Sequence, residues 1–305
     1  MTKLSVSPSL APRHRPDVLA DTAAAIRAHP EFRRAAMHYL ENVLRWREGP
    51  RLLNKVVGSY VRSQVIGNLL FLHFSGDVTG DGEGPSFVRL LALSEARNHC
   101  GSRVLKTVLA LTKLAGFVAV ERGRNDARLR VYRPTEKLLE HVRAWYTQTL
   151  GCFDILAPGG HYAERVAREA DFIARFLSSI GTPFFEHDIA IGEYYPKIYE
   201  LLQLDCGFPV IATLVHATLR GDEMPSAPEI SKKFGSSASQ IRNVQKTAAA
   251  LGLISISDNG RADDCARLAA MYQDFIAREL ALYAQYGLDL GGYFTRDNAH
   301  EILSR

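Results

Sequence analysis

Two glycines frame the most constrained stretch of this chain. Leu93-Ser-Glu-Ala-Arg-Asn-His-Cys-Gly101 is a short helical pattern that stops at a glycine, and a second pattern runs from Ser102 to Gly116. Glycine is a favoured helix stop because it enters the left-handed region without a Cβ penalty. Phe117 to Arg122 and Ala127 to Pro134 then alternate apolar and polar residues around the polar turn Gly123-Arg-Asn-Asp126. A period of two is the strand period, so this part predicts a hairpin.

Helix, turn, capped helix and hairpin in that order predict a winged helix-turn-helix. Between Arg97 and Lys137 stand ten Lys or Arg and three Asp or Glu, a local charge of +7, whereas the whole chain carries +4. Positive charge gathered on one small module is the electrostatic footprint of a phosphate-backbone partner, here double-stranded DNA.

A length of 305 residues suits two domains, and 47% hydrophobic with 23% charged residues is ordinary for a soluble globular protein. No apolar run approaches the roughly 18 to 20 residues that span a bilayer, so no membrane partner is expected. Residues 1–16 carry Pro8, Pro12 and Pro16 with Arg13, His14 and Arg15, and read as a flexible basic tail without a signal-peptide core. Cys100, Cys152, Cys206 and Cys265 are scattered, with neither a Cys-x-x-Cys pair nor zinc spacing. Reduced thiols and a cytoplasmic location follow as expectations, with Cys100 a small packing residue. The stretch Gly76 to Pro85 fits the Ca²⁺-loop pattern only at Asp77 and Asp81, and reads as a plain loop.

Helical patterns are expected over 17–29, 31–47, 52–74, 135–150, 162–180, 194–204, 208–219 and 266–286, separated by Gly/Pro breaks such as Gly151 and Gly181-Thr182-Pro183. The later half repeats the order of signals in the earlier one. Leu214-Val-His-Ala-Thr-Leu-Arg-Gly-Asp222 echoes Leu70 to Asp77, and Pro225-Ser226 echoes Pro85-Ser86. Ala227 to Gly235 echoes Leu93 to Gly101, and a helix opened by Ser236-Ser237 closes at Leu251-Gly252-Leu253 as the first closes at Gly116-Phe117. Ile254 to Gly260 reads as a strand and tight turn, a second and shorter wing. Identity between the halves is low, and the shared order carries the repeat. The expected fold class is mostly α with small β wings: tandem winged helix-turn-helix domains linked and flanked by helices. One domain spans 17–150 and the other 151–305.

Asp126-Ala-Arg128, five residues, then Pro134-Thr135 matches the wing spacing of the MarR group of bacterial winged-helix regulators. That group's wing reads Asp-x-Arg, five residues, Leu-Thr-x-x-Gly; here Pro134 replaces the Leu and Leu138 the Gly. The first half, about residues 60 to 145, thus resembles MarR-like regulators; the second is similar only in general winged-helix form. The resemblance implies a transcriptional regulator. Members are usually dimers with one such domain per chain, so two domains in one chain imply a monomeric pseudo-dimer.

At 100° per residue, Val104, Leu105, Val108, Leu111, Thr112 and Ala115 fall on the side expected to face the core, and Ser102 is the expected cap. Arg103, Lys106, Thr107, Ala110 and Lys113 fall opposite, a small, polar, cationic face suited to the major groove; Leu114 also projects there, as a misfit. On the wing, Arg122, Arg124 and Arg130 are expected at phosphates or a narrow minor groove, with Arg128 and Arg133 beside them. Arg128 has the alternative of pairing with Asp126, whose role is expected to be structural. In the second helix Ser239, Gln240, Arg242, Asn243 and Lys246, with Thr247, are the candidate contacts, since Gln and Asn bond adenine bidentately. The second wing sets Asp258, Asp263 and Asp264 against Arg261, which disfavours phosphate; packing or protein contact is the equal alternative for that half.

No phosphate-cradling Gly loop, His-Glu-x-x-His or Gly-x-Ser-x-Gly occurs, and Glu186-His187-Asp188 does not converge when helical, so no enzyme and no cofactor is expected. His73 and His216 read as satisfied core histidines. Tyr194, Tyr195 and Tyr199, with Phe184 and Phe185, read as inter-domain packing, the alternative being a pocket for a small-molecule effector. A winged-helix protein-interaction scaffold, or a plasmid-type replication initiator, stands as the alternative to a DNA-binding regulator.

Overall fold

The computed structural model of the chain describes residues 17–48, 56, 58–75, 84–96, 100–123, 126–186, 189 and 191–294. The protein is mostly helical, with one two-stranded antiparallel hairpin. Helices α1 (Ala20–Ala28), α2 (Phe32–Glu48), α3 (Tyr60–Phe74), α4 (Phe87–Ala96) and α5 (Ser102–Leu114) precede strands β1 (Val118–Arg122) and β2 (Arg130–Pro134). After them come α6 (Glu136–Leu156), α7 (Tyr162–Arg168), α8 (Phe172–Glu186), α9 (Ile191–Tyr194), α10 (Pro196–Gln203) and α11 (Gly207–Arg220). The last elements are α12 (Ala227–Phe234), α13 (Ala238–Ala250), α14 (Ala266–Leu282) and a π-helical turn, Tyr283–Gly287.

Helix α2 shows why the core sits where it does. It buries Phe32, Ala35, Ala36, Tyr39, Leu40, Val43 and Leu44, spaced three and four apart, so one continuous stripe faces inward. That stripe packs on α6 and α11, while α1 packs on α14. The first two helices therefore lie against elements from the far end of the chain. Trp145 of α6 ties the layer together, with ring centroids 6.4 Å from Tyr39, 5.0 Å from Trp46 and 6.1 Å from Phe208 of α11.

Two stretches have the same order of elements, the second beginning with α11 of this layer. Helices α3, α4 and α5 lead into the β1–β2 hairpin; α11, α12 and α13 lead into a turn closed by a single bridge, Ile256 to Ala262. Helices α5 and α13 are each 13 residues long and end alike. Gly116 and Gly252 take φ +74° and +70°. The amides of Phe117 and Leu253 then donate to Thr112 O and Ala248 O, both at 2.9 Å. This closure satisfies orphan carbonyls and drives the next apolar side chain into the core, where Phe117 and Leu253 are buried.

Several sequence expectations are corrected. The N-cap of α5 is Gly101, with no side-chain cap; Ser102 is the first helical residue. On α5, Leu109 is buried and Val104 is 45% exposed, so the buried arc is turned toward Leu109. The strand expected over 254–260 does not form; there is only that bridge, because its few backbone pairs end at Ser255 and Ser257. Gly151 does not stop a helix: α6 runs through it to Leu156, and a Cβ there would meet His38 Nε2 at 2.8 Å, so the glycine lets α2 approach. The expected single helix over 162–180 divides at Glu169, whose backbone is extended, and resumes as α8 with Pro183 inside it. Segments 1–16, 52–55, 76–83, Arg124 and His187-Asp188 lie outside the described residues.

Candidate nucleic-acid interface

The outer face of α5 follows from its periodicity. With Leu105, Val108, Leu109, Thr112 and Ala115 inward, Arg103, Thr107, Ala110 and Leu114 form one exposed stripe, with Lys106 and Lys113 beside it. Lys106 Nζ lies 5.6 Å from the Phe87 ring centroid, so its stem leans on α4. Thr107 donates its hydroxyl hydrogen to Arg103 O at 3.0 Å and keeps only acceptor capacity outward. Among the described residues no carboxylate lies in ion-pair range of Arg103, Lys106 or Lys113. The far end of the helix is pinned: Thr135 Oγ1 donates to Gly116 O at 2.8 Å and Lys137 Nζ to Ala115 O at 2.9 Å. A cation on the last carbonyls also suits the helix dipole.

Helix α5 also packs against β1, the first strand of the hairpin. Its register sets Arg122 opposite Arg130. Like charges directly across an antiparallel pair are unfavourable by themselves, and both guanidiniums are exposed without a described carboxylate. Such a pair is relieved by an anion between or before it. Arg133, in contrast, is held by Glu121 at 2.6 Å. Asp126 has the structural role expected of it: its Oδ1 accepts from the Arg128 backbone amide at 2.8 Å, leaving the Arg128 side chain exposed in the turn. The Tyr132 amide donates to Pro85 O at 2.8 Å, and Ser86 bridges to Val131, so the segment before α4 braces the hairpin.

The second stretch differs in chemistry. Ser237 and Gln240 form a capping box, with Gln240 Oε1 accepting from the Ser237 amide at 3.0 Å. A bidentate adenine contact needs that same oxygen. Ser239, Arg242, Asn243 and Lys246 are exposed. Asp205 joins Ser239, Gln240 and Asn243 around a shallow groove of about 300 Å³. Arg62 of α3 lies 3.4 Å from that carboxylate. Under the offset that pairs α5 with α13, Arg122 corresponds to Asp258. Arg261 is neutralised by Glu223 and, at 3.5 Å, by Glu229, while Asp258 and Asp263 stay exposed. Asp264 Oδ1 accepts from the Ala266 amide, the first of α14, at 2.9 Å.

The remaining candidates lie elsewhere. Tyr195 donates its hydroxyl to Asp274 O at 2.9 Å, the Tyr199 and Tyr60 rings are 5.2 Å apart, and Arg278 stacks over Tyr194 at 4.1 Å. All three tyrosines thus bridge α9 and α10 to other helices. His73 is not satisfied: its buried Nδ1 has no described hydrogen-bond partner. Burial first, then the nearby Arg133 charge, lower its pKa and favour neutral imidazole. His216 Nε2 lies 3.7 Å from Glu41 without a hydrogen bond. Cys100 is part-buried, and burial pushes its thiol up, away from the reactive thiolate. Among the described residues no His/Cys/Asp/Glu group is placed to hold a metal, and no helix is long and apolar enough to cross a membrane. Ser237 caps α13 as the sequence leads one to expect; sequence reasoning did not find Asp205, which comes from a distant segment, nor the Ser226–Glu229 box and the Gln240 half of the Ser237 box, whose Ser-x-x-Glu/Gln spacing is a legible signal. Compared with protein-family models, curated proteins and solved structures, the chain matches none.

Proposed function

We propose that this protein binds double-stranded DNA and regulates transcription, with α5 as the major-groove helix of a winged helix-turn-helix and the β1–β2 hairpin as its wing. The observation that carries the reading is a set of unneutralised cations on one braced unit: Arg103, Lys106 and Lys113 on α5, and Arg122 opposed to Arg130 on the hairpin. A solvated face usually mixes both signs; this one carries a charge that phosphates relieve. The matched ends of α5 and α13 support a diverged second copy and, with it, a monomer on an asymmetric site. The exposed Asp258 and Asp263, and Asp205 beside Ser239, favour a weaker DNA role or a protein contact for that copy.

Binding of labelled duplex over a salt series tests the proposal. Wild-type protein is expected to bind with log affinity falling linearly in log salt. R122A/R130A is expected to weaken binding to all duplexes and to flatten the slope by up to ~0.9 for each phosphate no longer neutralised. No duplex binding at low salt would favour the scaffold reading; an unchanged slope in the double variant would remove the hairpin from the interface.

A further inference from the structure

Leu114 is 83% exposed, the most exposed large apolar side chain among the described residues, and it stands on the stripe with Arg103, Thr107 and Ala110. It is not a frayed end. The residues just after it are held by Thr135 and Lys137, and Ala115 and Phe117 are buried, so the isobutyl group is presented from a fixed backbone. The corresponding position of α13 is Ala250, so exposure of a large apolar group here is particular to the first unit. On a face otherwise chosen for charge and polarity, an apolar group has one apolar feature to meet in a duplex: the thymine C5-methyl in the major groove. Ala110, one turn nearer the start, leaves room for a base edge to approach.

Resting on the DNA-binding reading above, we infer that Leu114 is a specificity-determining residue that selects a thymine methyl at the end of the half-site remote from the base met by Arg103. The eleven-residue interval rises roughly 16 Å at 1.5 Å per residue. At about 3.4 Å per base step it spans at most roughly five steps, the limit for a helix lying parallel to the duplex axis. The favoured half-site has a guanine, bonded through O6 and N7 by Arg103, and a thymine up to about five base pairs away.

The experiment selects bound duplexes from a random pool with wild-type protein. Each thymine of the enriched site is then replaced singly by deoxyuridine, which removes only the methyl and keeps pairing. Wild-type protein is expected to lose about fourfold at one or two positions, the effect of burying one methyl-sized group. L114A is expected to bind thymine and deoxyuridine duplexes equally there while keeping its guanine preference. Tolerance of deoxyuridine at every position, or the same loss in L114A, would overturn the inference while leaving DNA binding intact. If no duplex is bound at all, the DNA-binding reading fails and this inference falls with it.

Discussion

At the scale of single residues, what separates the α3–β2 stretch from the α11–α13 stretch is which cations already have partners. Arg133 is held by Glu121, Arg261 by Glu223 and Glu229, and Lys137 by the carbonyl of Ala115. Arg103 has no partnering carboxylate among the described residues, and its planar fork suits a guanine edge. R103A is therefore expected to relax base preference at one position, costing roughly 1 to 3 kcal/mol of discrimination if the contact is bidentate. Affinity measured for a duplex and its single-base variants checks this; an equal loss on every sequence would make Arg103 a phosphate clamp. The stripe itself is legible in the sequence, because spacing alone places Arg103, Thr107 and Ala110 on one side. The edge of the buried arc is not: Val104 and Leu109 are both aliphatic, and only the packing of α3 and β1 against α5 decides which is covered.

At the scale of elements, helix ends are set by local chemistry. Ser226 and Ser237 each accept from an amide three residues on and are met in return by Glu229 and Gln240. Removing such a cap costs about 1 kcal/mol. S237A is expected to lower the unfolding free energy by about that amount, whereas S102A should change it by less than about 0.5 kcal/mol, since Ser102 makes no cap. Urea denaturation of the two variants checks the contrast, and a larger loss in S102A would contradict the Gly101 cap. The glycine stops at Gly116 and Gly252 are readable for the same reason: a positive φ is a property of one residue. Gly151 carries the same letter with a different meaning. It lies inside α6, where its lack of a side chain makes room for His38 from α2.

At the scale of the whole molecule, a buried polar cluster joins α2 to the closing helix. Tyr39 and Tyr283 donate their hydroxyls to Glu279 at 2.6 and 2.7 Å. Glu279 keeps part of its surface accessible, yet desolvation outweighs those two hydrogen bonds and holds its carboxyl above the ordinary range. A carboxyl whose pKa is raised on folding favours the fold when protonated. Its contribution is full below the unfolded value, about 4.3, and is lost as pH rises through the raised folded value. E279Q, neutral at every pH, is expected to gain stability relative to wild type as pH rises through that window and to lose the advantage in acid. Thermal or urea unfolding of both proteins across pH measures this; a wild type that gains on E279Q with rising pH would show the carboxylate to be stabilised by its tyrosines.

What the sequence by itself determined are the short-range features: helical stripes, glycine stops, the alternating strands around Asp126, and the concentration of positive charge between Arg97 and Lys137. Each depends on residues within about one turn or one hairpin, where dihedral preference and periodicity act directly. Only the tertiary structure decided that α1 and α2 pack on α14 and α11, that Asp205 stands beside Ser239, and that Tyr39 meets Glu279. Those neighbours are far apart in the chain. They meet because many apolar faces are buried at once, a collective balance that no local spacing encodes.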